Sequence, residues 1–526
     1  MSRYQLLTTA TWLLLPAVLA VPTSRAQMAC TAEANAPLVT PPPTLVVRDE
    51  DDEPTRVVAR NVVGDYLNSV ASEFGDKVSS YFFSGIPEWF QDLPTGDAVL
   101  DKLDITEDDL NAIPTSVLNL PSYANWTDEG WNLRVHGNVY KLPNVSQDKI
   151  DDLANIFLID VDIEDLDENQ QENARNLTKS IFVVQQGDLE VTMDFVSNVD
   201  VEPSSGGGTV NAQAGGDQTI TLPYNTTDQG DFDVFVTLDN STGPDGGYTT
   251  PGDETSSIQT LNVYAEGTNT GNATAYLVPP TGMTIISDID DILRVTKIYQ
   301  PDEGLLNSFA RDFVPWMNMP DIYANWSASI DDFHFHYLTT TPEQATRTYM
   351  EFIYSTYPLG SFDTRPLNFS DVSATLSIRK FLLDKIFATF PQRQFILVAD
   401  TTNSDVMKAY PQLAHDHPSQ VQCIFLRNTS ATDDSNYFPY DTSGFEGLDQ
   451  DKYMFFTVPD DLTNLDIQGG KCWNESIAQN VTFGTQGLPF GLGSDDEDAA
   501  GMLEPPSVAG RIGVALLLAF LALAVL

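Results

Sequence analysis

The hydrophobic rhythm of the chain changes twice along its folded length. From Arg56 to about Leu120, apolar positions such as Val57, Val62, Tyr66, Val70 and Phe74 recur at helical spacing with few glycines between them, which predicts two or three helices within 56–130. From Trp131 to about Pro279 the period shortens to two. Leu133-x-Val135, Phe182-Val183-Val184, Phe232-x-Val234-x-Val236 and Leu261-x-Val263 stand between Gly, Asn and Asp clusters such as 204–208. Strands separated by such turns predict a β-rich domain over 131–279, most simply a sandwich. After Pro279-Pro280, short apolar runs at 285–286, 333–338, 395–398 and 421–426 alternate with amphipathic stretches, one of which puts Ile378, Phe381, Leu382, Ile386 and Phe390 on a single helical face. That alternation predicts an α/β domain over 280–485 with a mostly parallel sheet, whose ligands bind at the carboxyl ends of the strands.

The two ends read as addresses. Within 1–26, Arg3 precedes an apolar stretch through Leu13-Leu14-Leu15 to Val18-Leu19-Ala20, with small-residue exits at Val18-x-Ala20 and Ser24-x-Ala26, the pattern of a secretory signal peptide. Residues 27–55 carry Pro41-Pro42-Pro43 and the acidic run 49–53, a flexible leader. Beyond a linker and spacer over 486–511, which includes the small triplet Ala499-Ala500-Gly501, residues 512–526 form a 15-residue apolar tail. This order is expected of a glycosylphosphatidylinositol anchor signal, whereas a membrane span needs about 20 apolar residues. Eleven Asn-x-Ser/Thr sequons, at Asn125, Asn144, Asn176, Asn225, Asn240, Asn272, Asn325, Asn368, Asn428, Asn474 and Asn480, fit a secreted, N-glycosylated protein at the cell surface.

Composition narrows the partners. The 526 residues are 42% hydrophobic and 10% aromatic, enough to bury cores. Against 26 Lys and Arg stand 75 Asp and Glu, a net charge of −49, which repels phosphate backbones and excludes nucleic acid as a partner class. Processing at both ends would remove Arg3, Arg25, Arg511 and Glu504, leaving 23 basic against 74 acidic residues and a net charge of −51. An anionic substrate therefore needs a metal ion or a local cationic group. The three cysteines, Cys30, Cys423 and Cys472, allow one bridge; Cys423 lies in the apolar run with Ile424-Phe425-Leu426 and reads as a buried thiol, which leaves Cys30–Cys472 as the expected pair.

The first strand of the α/β region ends in Ser287-Asp288-Ile289-Asp290-Asp291. Two carboxylates two residues apart in a turn past a strand can act as nucleophile and proton donor on one bound group, although Asp-x-Asp pairs recur at Asp160/Asp162, Asp231/Asp233 and Asp449/Asp451 as solvated pairs would. The second strand leads into Thr339-Thr340-Thr341-Pro342-Glu343-Gln344. There Thr341, Pro342 and Gln344 suit the N-cap, first and third positions of a helix, and Thr339 suits a phosphate-binding hydroxyl. Arg379-Lys380 supplies a cation, and Asp400 with Asp405 follows the third strand, where hard oxygen ligands could hold Mg²⁺ together with Asp288.

In that order the motifs resemble the haloacid dehalogenase superfamily of phosphohydrolases. More closely, Val278-Pro279-Pro280, Ser287-Asp288-Ile289-Asp290-Asp291, Asn307-Ser308-Phe309, Phe335-His336-Tyr337, Tyr357-Pro358-Leu359-Gly360-Ser361-Phe362, Phe390-Pro391-Gln392-Arg393-x-Phe395 and Ile424-Phe425-Leu426-Arg427 are similar to the catalytic domain of actin-patch-type Mg²⁺-dependent phosphatidate phosphatases. The resemblance covers about 278–430, and more weakly the β-rich region through Val135-His136-Gly137-Asn138-Val139-Tyr140. It implies a haloacid dehalogenase-like, Rossmann-type parallel sheet domain behind the sandwich-like domain and the short helical region, acting on phosphatidate or another phosphomonoester. Asp288 would be the nucleophile and Asp290 the acid/base. Thr339 would hold a phosphoryl oxygen, and Arg379 or Lys380 would offset the transferring charge. Asp288, the Asp290 carbonyl, Asp400 and Asp405 would bind Mg²⁺. Ile292 stands where the family has Thr, and Thr339-Thr340 replaces Ser-Asn.

Two other readings compete. His334-x-His336 and His415-Asp416-His417 could hold Zn²⁺, or could simply pack beside Phe333, Phe335 and Tyr337. An anchored surface binding module whose β-rich part does the work, with the phosphatase-like domain as scaffold, is the non-enzymatic reading.

Overall fold

The computed structural model describes residues 99, 103 and 105–486, apart from 156–157, 159–160, 198–217, 239–257, 298, 344–345, 366–371, 434–438 and 480. The signal peptide, the leader, most of the helical region before residue 105, Cys30, Gln344 and the C-terminal tail lie outside these residues. Among those described, no helix is long and apolar enough to cross a membrane.

Helix α1 (Glu107–Asn111) opens with a capping box in which Thr106 and Asp109 satisfy each other's backbone N–H groups. Strands then begin earlier than the helical spacing suggests. β1 (Thr115–Asn119) and β2 (Ser122–Thr127) flank Pro121, which cannot continue a helix. Both pair antiparallel with the 12-residue β3 (Gly130–Lys141). The period-two stretch is interrupted by two helices, α2 (Gln147–Ala154) and α3 (Glu168–Ile181). Each buries one face: Ile150, Leu153 and Ala154 on α2, and Ala174, Leu177 and Ile181 on α3. The Asp167 carboxylate caps α3 by accepting from Gln170 N–H at 2.9 Å.

Strands β4 (Val184–Gln185), β5 (Thr192–Ser197), β6 (Gln218–Thr221), β7 (Asp231–Thr237), β8 (Gln259–Ala265) and β9 (Ala273–Val278) complete the region. Among the described residues its nine strands form one hydrogen-bonded sheet in the order β1-β3-β2-β9-β8-β5-β6, with β4 and β7 branching from β3, where two facing sheets were expected. The alternate residues Trp131, Leu133 and Val135 of β3 share one core with Met193 and Phe195 of β5 and Leu261 and Val263 of β8.

The second sheet is wholly parallel. β10 (Met283–Ser287) lies at its centre, with β11 (His334–Pro342) and β12 (Ser361–Arg365) to one side and β13 (Gln394–Asp400), β14 (Val421–Arg427) and β16 (Tyr453–Phe456) to the other. The short β15 (Tyr440–Asp441) pairs outside it. Strand order reverses at β10, so a crevice opens beyond the carboxyl ends of β10 and β13. Helices α4 (Pro301–Phe309), α5 (Met319–Ser329), α6 (Thr346–Thr356), α7 (Val372–Thr389) and α8 (Ser404–Asp416) connect the strands. β11 runs on through Pro342, which pairs with Arg365 of β12, and the Thr364 hydroxyl donates to the Thr341 carbonyl at 2.7 Å. Thr341 is therefore extended strand rather than an N-cap, and α6 starts five residues later.

The two sheets are joined. Phe362 N–H of β12 donates to the Pro121 carbonyl at 2.9 Å. Arg134 of β3 reaches both oxygens of Asp363 of β12, at 2.7 and 2.9 Å, and both oxygens of Asp233 of β7, at 2.9 and 3.0 Å. Behind β14, Cys423 is bonded to Cys472 across 49 residues. This replaces the Cys30–Cys472 pairing: an apolar flank around Cys423 describes its burial and says nothing about what packs against its sulfur.

Candidate active site

Asp288 leaves the end of β10 with 2% of its surface exposed. One carboxyl oxygen accepts from the Ile289 N–H at 2.9 Å, and the other accepts from Arg379 Nη2 at 3.0 Å and Asn403 Nδ2 at 3.2 Å. Burial pushes this carboxyl up to about 6 against the pull of Arg379, and the neighbouring Asp290 charge adds to the rise. Arg379 is itself buried on α7. Its Nε donates to Asp405 at 2.7 Å, and its Nη1 is buried with no hydrogen-bond partner. The adjacent Lys380 turns outward and pairs with Asp384 at 2.5 Å, so of the two candidate cations only Arg379 reaches the site.

The loop after Asp288 curls back through left-handed backbone at Asp291 (φ 57°) and Lys297 (φ 58°). The curl surrounds the Asp290 side chain with donors. Its Oδ1 accepts from Arg294 Nε at 3.0 Å, Thr296 Oγ1 at 2.8 Å and the Tyr349 hydroxyl at 3.0 Å. Its Oδ2 accepts from Thr341 Oγ1 at 2.9 Å and, more loosely, Thr339 Oγ1 at 3.3 Å. Burial pushes Asp290 up, but Arg294 and these hydroxyls outweigh it and hold the carboxyl below its ordinary value. Asp291 turns the other way and accepts from the N–H groups of Thr296 and Lys297 at 3.1 and 2.8 Å. Arg427, stacked over Trp316 at 4.1 Å, donates to the Asp291 carbonyl.

At the end of β13, Asp400 is fully buried. Its Oδ1 accepts from Thr402 N–H at 2.6 Å, and its Oδ2 accepts from Asn403 Nδ2 at 3.1 Å. Burial, together with the charges of Asp291 and Asp288, pushes Asp400 up to about 8. One amide N–H₂ thus stands between Asp288, which is paired with Arg379, and Asp400, which among the described residues has no cation against it. Among the described residues no three His, Cys, Asp or Glu side chains form a ready metal cluster. Asp405, expected as a ligand, is engaged with Arg379. The donor set still suits Mg²⁺, which takes one or two carboxylates and completes its shell with other oxygens.

His334 and His336 are buried on β11, and both share the Ser361 hydroxyl at 2.8 Å. That places them in the packing beneath the crevice rather than at it. Arg294, Tyr349 and Asn403 were not singled out by sequence. The signals were present, as a cation four residues after Asp290 and an amide three after Asp400, but neither spacing is specific without the curl of the loop.

Residues 283–428 match the family model described as "Phosphatidate phosphatase APP1, catalytic domain". The match spans β10 to the end of β14 and so contains every side chain of the crevice described above. No curated protein matches the chain.

Proposed function

We propose, from the premise that residues 283–428 are a phosphatidate-phosphatase-type catalytic domain, that the protein is a Mg²⁺-dependent phosphomonoesterase of haloacid dehalogenase-like fold. Its substrate is phosphatidate, cleaved to diacylglycerol and phosphate through an aspartyl-phosphate on Asp288. The observation that carries this reading is the pairing of Asp288 with Arg379 at 3.0 Å at the end of the central strand, beside an Asp290 held by five donors.

Asp288 attacks phosphorus, and the bond to the leaving alkoxide breaks. The unpartnered Nη1 of Arg379 is placed to receive a phosphoryl oxygen and offset its charge. Asp290 favours its ionised form in the free site; an arriving phosphate dianion disfavours that charge and raises its affinity for the proton it then gives the leaving oxygen. In the second step the Asp290 carboxylate takes a proton from the water that attacks the aspartyl-phosphate. Asp288, Asp400 and the Asp290 carbonyl would hold Mg²⁺, with the Asn403 amide beside them. Bound there, the ion supplies positive charge to the transferring phosphoryl group. Asp405 serves instead to fix Arg379.

Purified protein is expected to release phosphate from phosphatidate only with Mg²⁺, and Asp288→Asn to lower the rate by about 10⁴-fold or more. Phosphate release undiminished in Asp288→Asn, or none from the wild type with Mg²⁺ present, would sink this reading.

The same proposal places the enzyme on the outer cell surface. Supporting it are the Cys423–Cys472 bond, which suits an oxidising compartment, and the exposure of the sequon residues Asn144, Asn176, Asn225, Asn272 and Asn325. A phosphatidylinositol-specific phospholipase is expected to release it from intact cells, and retention after that treatment would refute the anchor.

A further inference from the structure

Arg294 is fully buried within the catalytic loop, and each of its donor nitrogens has a partner. Nε meets Asp290 Oδ1 at 3.0 Å. Nη2 donates to the Tyr349 hydroxyl at 2.6 Å and to Ser308 Oγ at 2.9 Å, and Nη1 lies 3.4 Å from the Asn307 carbonyl. The guanidinium packs in the corner formed by the rings of Phe313 and Tyr349, each 4.1 Å away and meeting edge to face at 79°. Such a fork has one position only. Tyr349 repeats the constraint, since its hydroxyl accepts from Arg294 and donates to the same Asp290 oxygen.

The two oxygens of Asp290 are consequently unequal. Oδ1 is filled by Arg294, Thr296 and Tyr349, three donors from two elements. Among the described residues Oδ2 meets only the hydroxyls of Thr341 and Thr339, on the strand end that borders the crevice, and hydroxyls can turn away to other partners. We infer that Arg294, seconded by Tyr349, is a positioning residue that locks the Oδ1 edge of Asp290, so that Oδ2 alone carries the proton to the leaving alkoxide and later takes one from water. This inference rests on the phosphatase reading above. In the first step the bond from Asp288 to phosphorus forms, the phosphorus–alkoxide bond breaks, and the Oδ2 proton passes to the alkoxide oxygen. In the second, the water oxygen bonds to phosphorus, the Asp288 ester bond breaks, and the water proton returns to Oδ2.

A group that positions the acid matters most when the leaving oxygen is strongly basic. The test compares kcat/KM, which reports events up to phosphoryl transfer, for an alkyl phosphomonoester and an aryl phosphomonoester with an acidic phenol, in wild type, Arg294→Met, Arg294→Lys and Tyr349→Phe. Arg294→Met is expected to lose about 10²-fold on the alkyl ester and less than about tenfold on the aryl ester, with KM little changed. Arg294→Lys is expected to recover part of the alkyl activity, because it keeps the charge but not the fork. Equal losses on both esters, or no loss on the alkyl ester, would overturn the inference. If Arg294→Met does not fold, Tyr349→Phe carries the same comparison with a smaller loss in the same order. Asp290→Asn separates the two ideas: if it keeps full alkyl activity the acid/base assignment itself fails, whereas if it is inactive while Arg294→Met is unimpaired only the positioning role fails.

Discussion

In the metal-free site, burial and the charges of Asp291 and Asp288 push Asp400 up to about 8, which favours its protonated form at neutral pH. The unfolded chain ionises this group near pH 4. Between about pH 4 and 8 the folded state therefore binds the extra proton, and the contribution of this group to stability falls as pH rises. Asp400→Asn removes that burden. In the presence of a chelator the variant is expected to melt above the wild type at pH 7.5, with the difference shrinking toward pH 4, while its phosphatase activity is lost. Melting points lower than wild type at every pH would show that Asp400 stabilises the fold rather than straining it. At this scale the strand-end acids Asp288, Asp290 and Asp400 were legible in sequence, because a carboxylate directly after an apolar run has only the crevice to face. The partners of Asp290 were not. Arg294, Thr341 and Tyr349 reach Asp290 only because the loop turns through left-handed backbone at Asp291 and Lys297, and a string of residues does not reveal where such a loop closes.

Among elements, the parallel strands were legible because each is buried on both faces and reads as an unbroken apolar run; β10 and β14 are buried at every position. The helices α2 and α3 were not, since their polar faces are rich in Asp, Asn and Gln and resemble the turn clusters around them. β1 and β2 were missed for a related reason: each is short, and each is strand because β3 is long enough to pair with both. The bridge from Cys423 in β14 to Cys472 was illegible because it joins segments 49 residues apart. It ties the chain beyond β16 to the sheet, and the loop it closes is worth about 4 kcal/mol in the chain-entropy picture. Cys472→Ser is expected to lower the melting temperature and to speed hydrogen exchange in 453–479 more than in β10–β13. Uniform exchange across both regions would mean that the segment is held by packing alone.

On the scale of the whole molecule, a buried ionic network ties the antiparallel sheet to α7. Asp233 of β7 accepts from Arg134 and, at 2.6 Å, from Lys385 of α7, the helix that also delivers Arg379 to Asp288. Arg134 continues the chain to Asp363 of β12, which lies 3.6 Å from His136 and 3.3 Å from His336. Arg134 and its two carboxylates are each about 1% exposed, so water cannot replace a lost partner, and breaking such a pair costs about 3–5 kcal/mol. Asp363→Asn leaves Arg134 with Asp233 as its single charged partner and removes one of the ties between the sheets. The expected outcome is a lower melting temperature, with the loss shared by both sheets in one calorimetric transition because Arg134, Asp233 and Lys385 still bind them together. Activity should fall through misplacement of α7, and the hydrogen-exchange protection of α7 should fall with it. A variant in which the antiparallel sheet melts in a separate earlier transition while α7 stays protected would show that the network stabilises that sheet alone and leaves Arg379 to the packing of its own domain.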